Sequence, residues 1–90
     1  METGRIYNHG GEEYLGEVEY RLQSEEEGSW WGELIFVEYT RAADGPGYVL
    51  ELNDGRCGAC IIKKRINKAV QGIPPRYYYY IKGLGRLEGR

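Results

Sequence analysis

Short apolar runs, one of them alternating cleanly with polar residues, are separated along this chain by Gly, Pro, Asp and Ser clusters. From Glu12 to Leu22, Tyr14, Gly16, Val18, Tyr20 and Leu22 fall on one side and Glu17, Glu19 and Arg21 on the other, which predicts a half-buried strand. Gln23–Ser29 (Q-S-E-E-E-G-S) reads as a polar turn. Trp30–Thr40 (W-W-G-E-L-I-F-V-E-Y-T) is the most apolar segment; Leu34–Val37 leaves little polar surface on either side, predicting a central strand covered on both faces. Ala42–Gly47 (A-A-D-G-P-G) has the residues that stop a strand and reverse the chain.

The next stretch, Tyr48–Ile62, carries the strongest local signal: two apolar runs flank Asp54-Gly55, a pair suited to a two-residue type I′ hairpin turn. That turn sets Leu52 opposite Cys57, Leu50 opposite Ala59 and Tyr48 opposite Ile61, and so predicts these six side chains on the core side with Cys60 facing out. Beyond Lys63, Asn67 is placed to cap a single helical or 3₁₀ turn, with Ile66 and Val70 four apart and Gly72 ending it before Pro74-Pro75. Arg76–Leu84 predicts a last strand, with Arg76, Tyr78, Tyr80 and Lys82 on its wet face and Tyr77, Tyr79, Ile81 and Gly83 on the other. Met1–Gly11 shows no sustained period and is expected to be a flexible arm, with Ile6 and Tyr7 offering at most a short edge strand.

The expected architecture is therefore all-β: a flexible arm (residues 1–11) and one domain (residues 12–87) of five strands in a small barrel or strongly bent antiparallel sheet, with one short helical turn before the last strand. The order and spacing of these strands over residues 12–84 resemble the SH3-like small barrels, in which hairpin-connected strands and a tight distal hairpin precede a 3₁₀ turn and a closing strand. An OB-like barrel is the alternative, although that fold wants a longer helix between its third and fourth strands.

Ninety residues support one core, so most aromatic side chains are needed to fill it. No run approaches the roughly 20 apolar residues of a membrane-spanning helix, and the first residues carry no apolar leader, which predicts a cytoplasmic, bacterial-type protein. The net charge of −2 conceals a division. The first 52 residues hold three Lys/Arg against twelve Asp/Glu, a net −9, and the last 38 hold nine against two, a net +7. Either the acidic and basic strands pair across the sheet, or the second half presents a basic face to an anionic ligand.

Catalytic chemistry finds little support. His9 is the only histidine, so no Ser-His-Asp set is available, and no phosphate-binding glycine loop of Walker or Rossmann spacing is present. Cys57-Gly-Ala-Cys60 has the spacing of a zinc or redox pair, yet zinc needs two further ligands. A redox pair wants a helix N-terminus; positions three apart on a strand point to opposite faces. No enzymatic activity, metal or cofactor is expected, and both cysteines are expected to be reduced.

What remains is binding. An aromatic surface with Trp30 and Trp31 sending one indole to each side of their strand, together with Tyr78 and Tyr80, suits a protein partner or a second copy in a homodimer. Lys63, Lys64, Arg65, Lys68, Arg76 and Lys82 beside those tyrosines suit the alternative, a single-stranded nucleic acid held by phosphate contacts and base stacking.

Overall fold

The computed structural model describes residues 2–26, 29–38, 40–67 and 76–89. Six strands follow in chain order: β1 (Glu2–Asn8), β2 (Glu13–Glu26), β3 (Ser29–Phe36), β4 (Gly45–Glu51), β5 (Cys57–Asn67) and β6 (Arg76–Gly83). A 3₁₀ turn, His9–Gly11, separates β1 from β2, with the Asn8 side chain accepting from the His9 N–H at 2.8 Å. All pairings are antiparallel, and the sheet closes on itself in the order β1-β2-β3-β6-β5-β4. The molecule is thus the all-β small barrel expected, with six strands in place of five. Two three-stranded meanders meet at two seams, β3 against β6 and β1 against β4. The helical turn expected before the last strand lies outside the described residues, apart from Asn67, which is the last residue of β5.

The sixth strand is the stretch read as a flexible arm. Only Ile6 marks its inner face, because the other inward position with it is Gly4, which has no side chain to register in a hydrophobic pattern. The glycine is needed there: a Cβ would meet the Glu51 carbonyl and the Tyr20 ring. β1 pairs with β2 over seven positions and with β4 through Arg5–Glu51, Ile6–Leu50 and Tyr7–Val49. Closing the sheet in this way removes both edges that a five-stranded sheet would leave open.

The interior is filled by side chains from every strand, among them Ile6, Val18, Tyr20, Trp30, Leu34, Leu50, Cys60, Ile62, Tyr79 and Ile81, each less than 4% exposed. The polar tips of its large residues are satisfied. Tyr20 Oη donates to Asn53 Oδ1 and accepts from the Asn53 N–H, both at 3.1 Å, Tyr48 Oη donates to the Ala43 carbonyl at 2.6 Å, and Trp30 Nε1 donates to the Gly85 carbonyl at 2.9 Å. Burial raises the pKa of both tyrosines.

Four local expectations are corrected. The β4–β5 hairpin does not use a two-residue turn. Gly55 N–H donates to the Leu52 carbonyl at 3.1 Å, Leu52 N–H donates to the Arg56 carbonyl at 2.8 Å, and Gly55 has φ 92°, a three-residue loop ending in a left-handed glycine. The register moves by one, so Glu51 faces Cys57, Leu50 faces Gly58 and Tyr48 faces Cys60. One step along a strand exchanges its faces. Cys60 and Ile62 are therefore inside, while Ala59 is exposed and Cys57 and Ile61 are half-buried on the outer side. In β2, a bulge where Ile6 faces Gly16 and Tyr7 faces Tyr14 inserts Leu15 against the core and leaves Tyr14 outside, 55% exposed. In the region of Trp30–Thr40 the strand stops at Phe36, Ile35 and Phe36 are half-buried and Val37 is exposed, so within that run only Leu34 is fully covered. The stretch read as a polar turn is largely strand, because β2 runs to Glu26 and β3 starts at Ser29.

Candidate functional site

The side chains singled out for binding divide between the two sides of the barrel wall. Trp30 is 2% exposed and belongs to the interior, where it lies over Gly58 and Gly83. Lys64 has the inward parity of Cys60 and Ile62 but sits at the barrel mouth; its Nζ lies 6.0 Å from the Tyr79 ring centroid, and its backbone N–H donates to Asp44 Oδ1 at 2.7 Å. That aspartate supplies the acceptor a β4 residue would otherwise offer, since β4 pairs with β5 only as far as Gly45–Ile62. Lys68 lies outside the described residues, and Arg76 is placed by its backbone, opposite Asn67.

The remaining six come together on the outer face of β3, β6 and β5. Trp31 and Tyr80, 41% and 36% exposed, lie with ring centroids 6.1 Å apart and planes 36° from parallel. In the sheet register Trp31 stands opposite Lys82, Tyr80 opposite Lys63 and Tyr78 opposite Arg65. Each aromatic side chain thus has a cation as its cross-strand neighbour, within about 5 Å between Cβ atoms. Among the described residues no ion pair involves Lys63, Arg65 or Lys82. Glu33, between Arg21 and Tyr80 in the register, is the acid of this face, and Ile35 and Ile61 are its half-buried aliphatic residues. None of these three was singled out from the sequence, although the period-two series Trp31, Glu33, Ile35 places two of them on one side of β3.

Strand order decides where the acidic half goes. In a ring of six, β1 lies diametrically across from β6, and β2 across from β5. β1 and β2 together carry six glutamates against Arg5 and Arg21, a net −4. β5 and β6 carry Lys63, Lys64, Arg65, Arg76 and Lys82 with no acid, a net +5. Pairing between the acidic and basic halves includes Arg56 with Glu25 at 2.9 Å. Arg5 pairs with Glu51 at 3.1 Å within the acidic half, closing the β1–β4 seam where Glu51, 7% exposed, also accepts from Tyr7 Oη at 3.4 Å.

The two cysteines lie on opposite sides of β5. Cys60 is enclosed, and burial pushes its thiol pKa up to about 12. Cys57 is half-buried at the outer side, with Sγ 3.7 Å from the Gly55 carbonyl and 4.0 Å from Glu51 Oε2. They are unpaired, and among the described residues no group of three or more His, Cys, Asp or Glu side chains is arranged to hold a metal ion. Comparison of the chain with protein-family models, with curated proteins and with solved structures finds no match in any of the three.

Proposed function

We propose that this chain is a non-catalytic binding module whose working surface is the outer face of β3, β6 and β5 and whose partner is anionic. The observation that carries this reading is the exposed Trp31–Tyr80 pair set among three cations that form no ion pair with the described residues. Burying a Trp and a Tyr against a ligand contributes apolar area, while unpaired cations lose little by exchanging water for an anionic group. The strand order supports the same reading, because β1 lies across the barrel from β6 and β2 from β5, so that of these two acidic strands only β2, next to β3, borders the surface. Opposite charge on the two walls also favours head-to-tail contact between copies, basic wall to acidic wall, over a two-fold dimer centred on either wall, which would set like charges against each other.

The test is amide chemical-shift mapping of the labelled chain with heparin, polyglutamate and polylysine in turn. The polyanions are expected to move resonances of β3, β6 and β5, and polylysine those of β1 and β2. Polyanion shifts confined to β1 and β2, or none at low salt, would overturn the proposal.

A further inference from the structure

We infer that the anionic partner of this face is a single-stranded nucleic acid, bound with bases on Trp31, Tyr80 and Tyr78 and phosphates on Lys82, Lys63 and Arg65. This rests on the reading of the face as an anion-binding surface and adds the identity of the ligand. The argument comes from the repeat. Along β6, Tyr78, Tyr80 and Lys82 recur every second residue, about 6.8 Å apart. Across the sheet each aromatic position has its own cation: Trp31 with Lys82, Tyr80 with Lys63, Tyr78 with Arg65. A single strand of nucleic acid repeats the complementary pair, one flat base and one phosphate per unit, and aromatic side chains accept any base because every base has a π face.

An acidic peptide would use the cations, but its carboxylate side chains have no flat π face to place on the rings. Trp31 and Tyr80 do not cover each other, since their planes are tilted and their centroids 6.1 Å apart, so ring surface stays open to a ligand. The acid at Glu33 interrupts the face beside Tyr80 and opposes a phosphate there. Its removal therefore strengthens binding.

The test uses the full chain and a ten-residue oligothymidylate, with tryptophan fluorescence as the readout. Trp30 is enclosed, so quenching on addition of oligonucleotide reports Trp31. Three phosphate contacts give a plot of log affinity against log salt with a slope near −2, at about −0.7 per contact. Lys63→Ala and Lys82→Ala each flatten that slope by about 0.7. Trp31→Ala, followed by tyrosine fluorescence or by oligonucleotide anisotropy, lowers affinity about 5- to 150-fold, while Glu33→Gln raises it. Two results would overturn the nucleic-acid assignment yet leave an anion-binding module standing: tighter binding of polyglutamate than of oligothymidylate, or Lys63 and Lys82 dependence with no effect of Trp31→Ala and Tyr80→Ala. Failure of oligothymidylate, polyglutamate and heparin alike to bind at low salt would remove both. Because Trp31, Tyr80 and the cations are exposed, circular dichroism of each variant is expected to match the parent, and binding by the Tyr80→Phe variant at parental affinity would support the stacking role.

Discussion

The enclosed indole of Trp30 rests on two strands that offer it glycine at the point of contact, and this makes Gly83→Ala the most informative substitution in the barrel. At Gly58 an added Cβ would stand 2.7 Å from Trp30 Cζ2 and 2.9 Å from a Leu87 methyl, and at Gly83 it would overlap the five-membered ring itself. Relieving the overlap at Gly83 shifts the indole or the β6 backbone, and either movement disturbs the hydrogen bond that Nε1 donates to the Gly85 carbonyl at 2.9 Å. A buried tryptophan hides about 150–250 Å², which at about 25 cal/mol per Å² bounds its contribution near 4–6 kcal/mol. A partial displacement forfeits only part of that. Overpacking typically costs about 1–3 kcal/mol, and the lost hydrogen bond about 1 more, so Gly83→Ala is expected to destabilise by about 2–4 kcal/mol. The assay is urea unfolding followed by circular dichroism, in a cycle with Trp30→Leu. The smaller side chain leaves room for the methyl, so in that background Gly83→Ala is expected to cost less than about 1 kcal/mol, a coupling of about 1–3 kcal/mol. Gly16→Ala serves as the control, because its Cβ would make only ordinary contacts, 3.5 Å from Thr40 Oγ1 and 3.7 Å from Phe36. Costs for Gly83→Ala that agree within about 0.5 kcal/mol in the two backgrounds would refute the indole-over-glycine argument.

Two further outcomes follow from the β5 register. Iodoacetamide applied to the native chain is expected to label the half-buried Cys57 first and Cys60 only after unfolding, as read by peptide mass spectrometry; Cys60 labelled ahead of Cys57 would restore the two-residue turn. The enclosed Cys60 thiol also makes the fold sensitive to alkali. Its pKa is about 12 in the folded chain against 9.0 for a free thiol, so the unfolded state releases this proton first and stability falls as pH rises from about 9 towards 12. The slope from this one group is about 1.4 kcal/mol per pH unit. Tyr20 and Tyr48, also raised by burial, add to the loss above pH 10. In Cys60→Ala the slope between pH 9 and 10 is expected to flatten, and an unchanged slope would show that the thiol is not the group responsible.

The candidate binding face was legible in part. The period of two on Arg76–Leu84 separates Tyr78, Tyr80 and Lys82 from Tyr79 and Ile81 without any structure, and the adjacent tryptophans must point to opposite sides of their strand. Which tryptophan is enclosed was not legible, since either assignment leaves one indole outside. The choice depends on Gly58 and Gly83, which reach Trp30 only after three separate strands have been brought together. The hairpin register was ambiguous for a related reason. Ile61 and Ile62 are both apolar, so Cys57–Ile62 offers a plausible core face in either phase, and Asn-Asp-Gly supports a two- or a three-residue loop. The three-residue loop sets Gly58 under the indole and sends Lys63 and Arg65 to the outer surface; the other phase would turn both cations inward.

The strand character of the chain, the place of the Asn53–Gly55 loop and the division of charge between its halves could be read without the fold, because they follow from local backbone preference and from composition. The tertiary structure decided three matters that depend on contacts between residues far apart in the chain. β1 exists as a strand because β2 and β4 satisfy its backbone on both sides, although its own inner face is marked by little more than Ile6. The phase of β5 follows from how the interior packs around Trp30. The charge division became two opposite walls because closure in the order β1-β2-β3-β6-β5-β4 carries β5 and β6 to the far side of the barrel from β1 and β2.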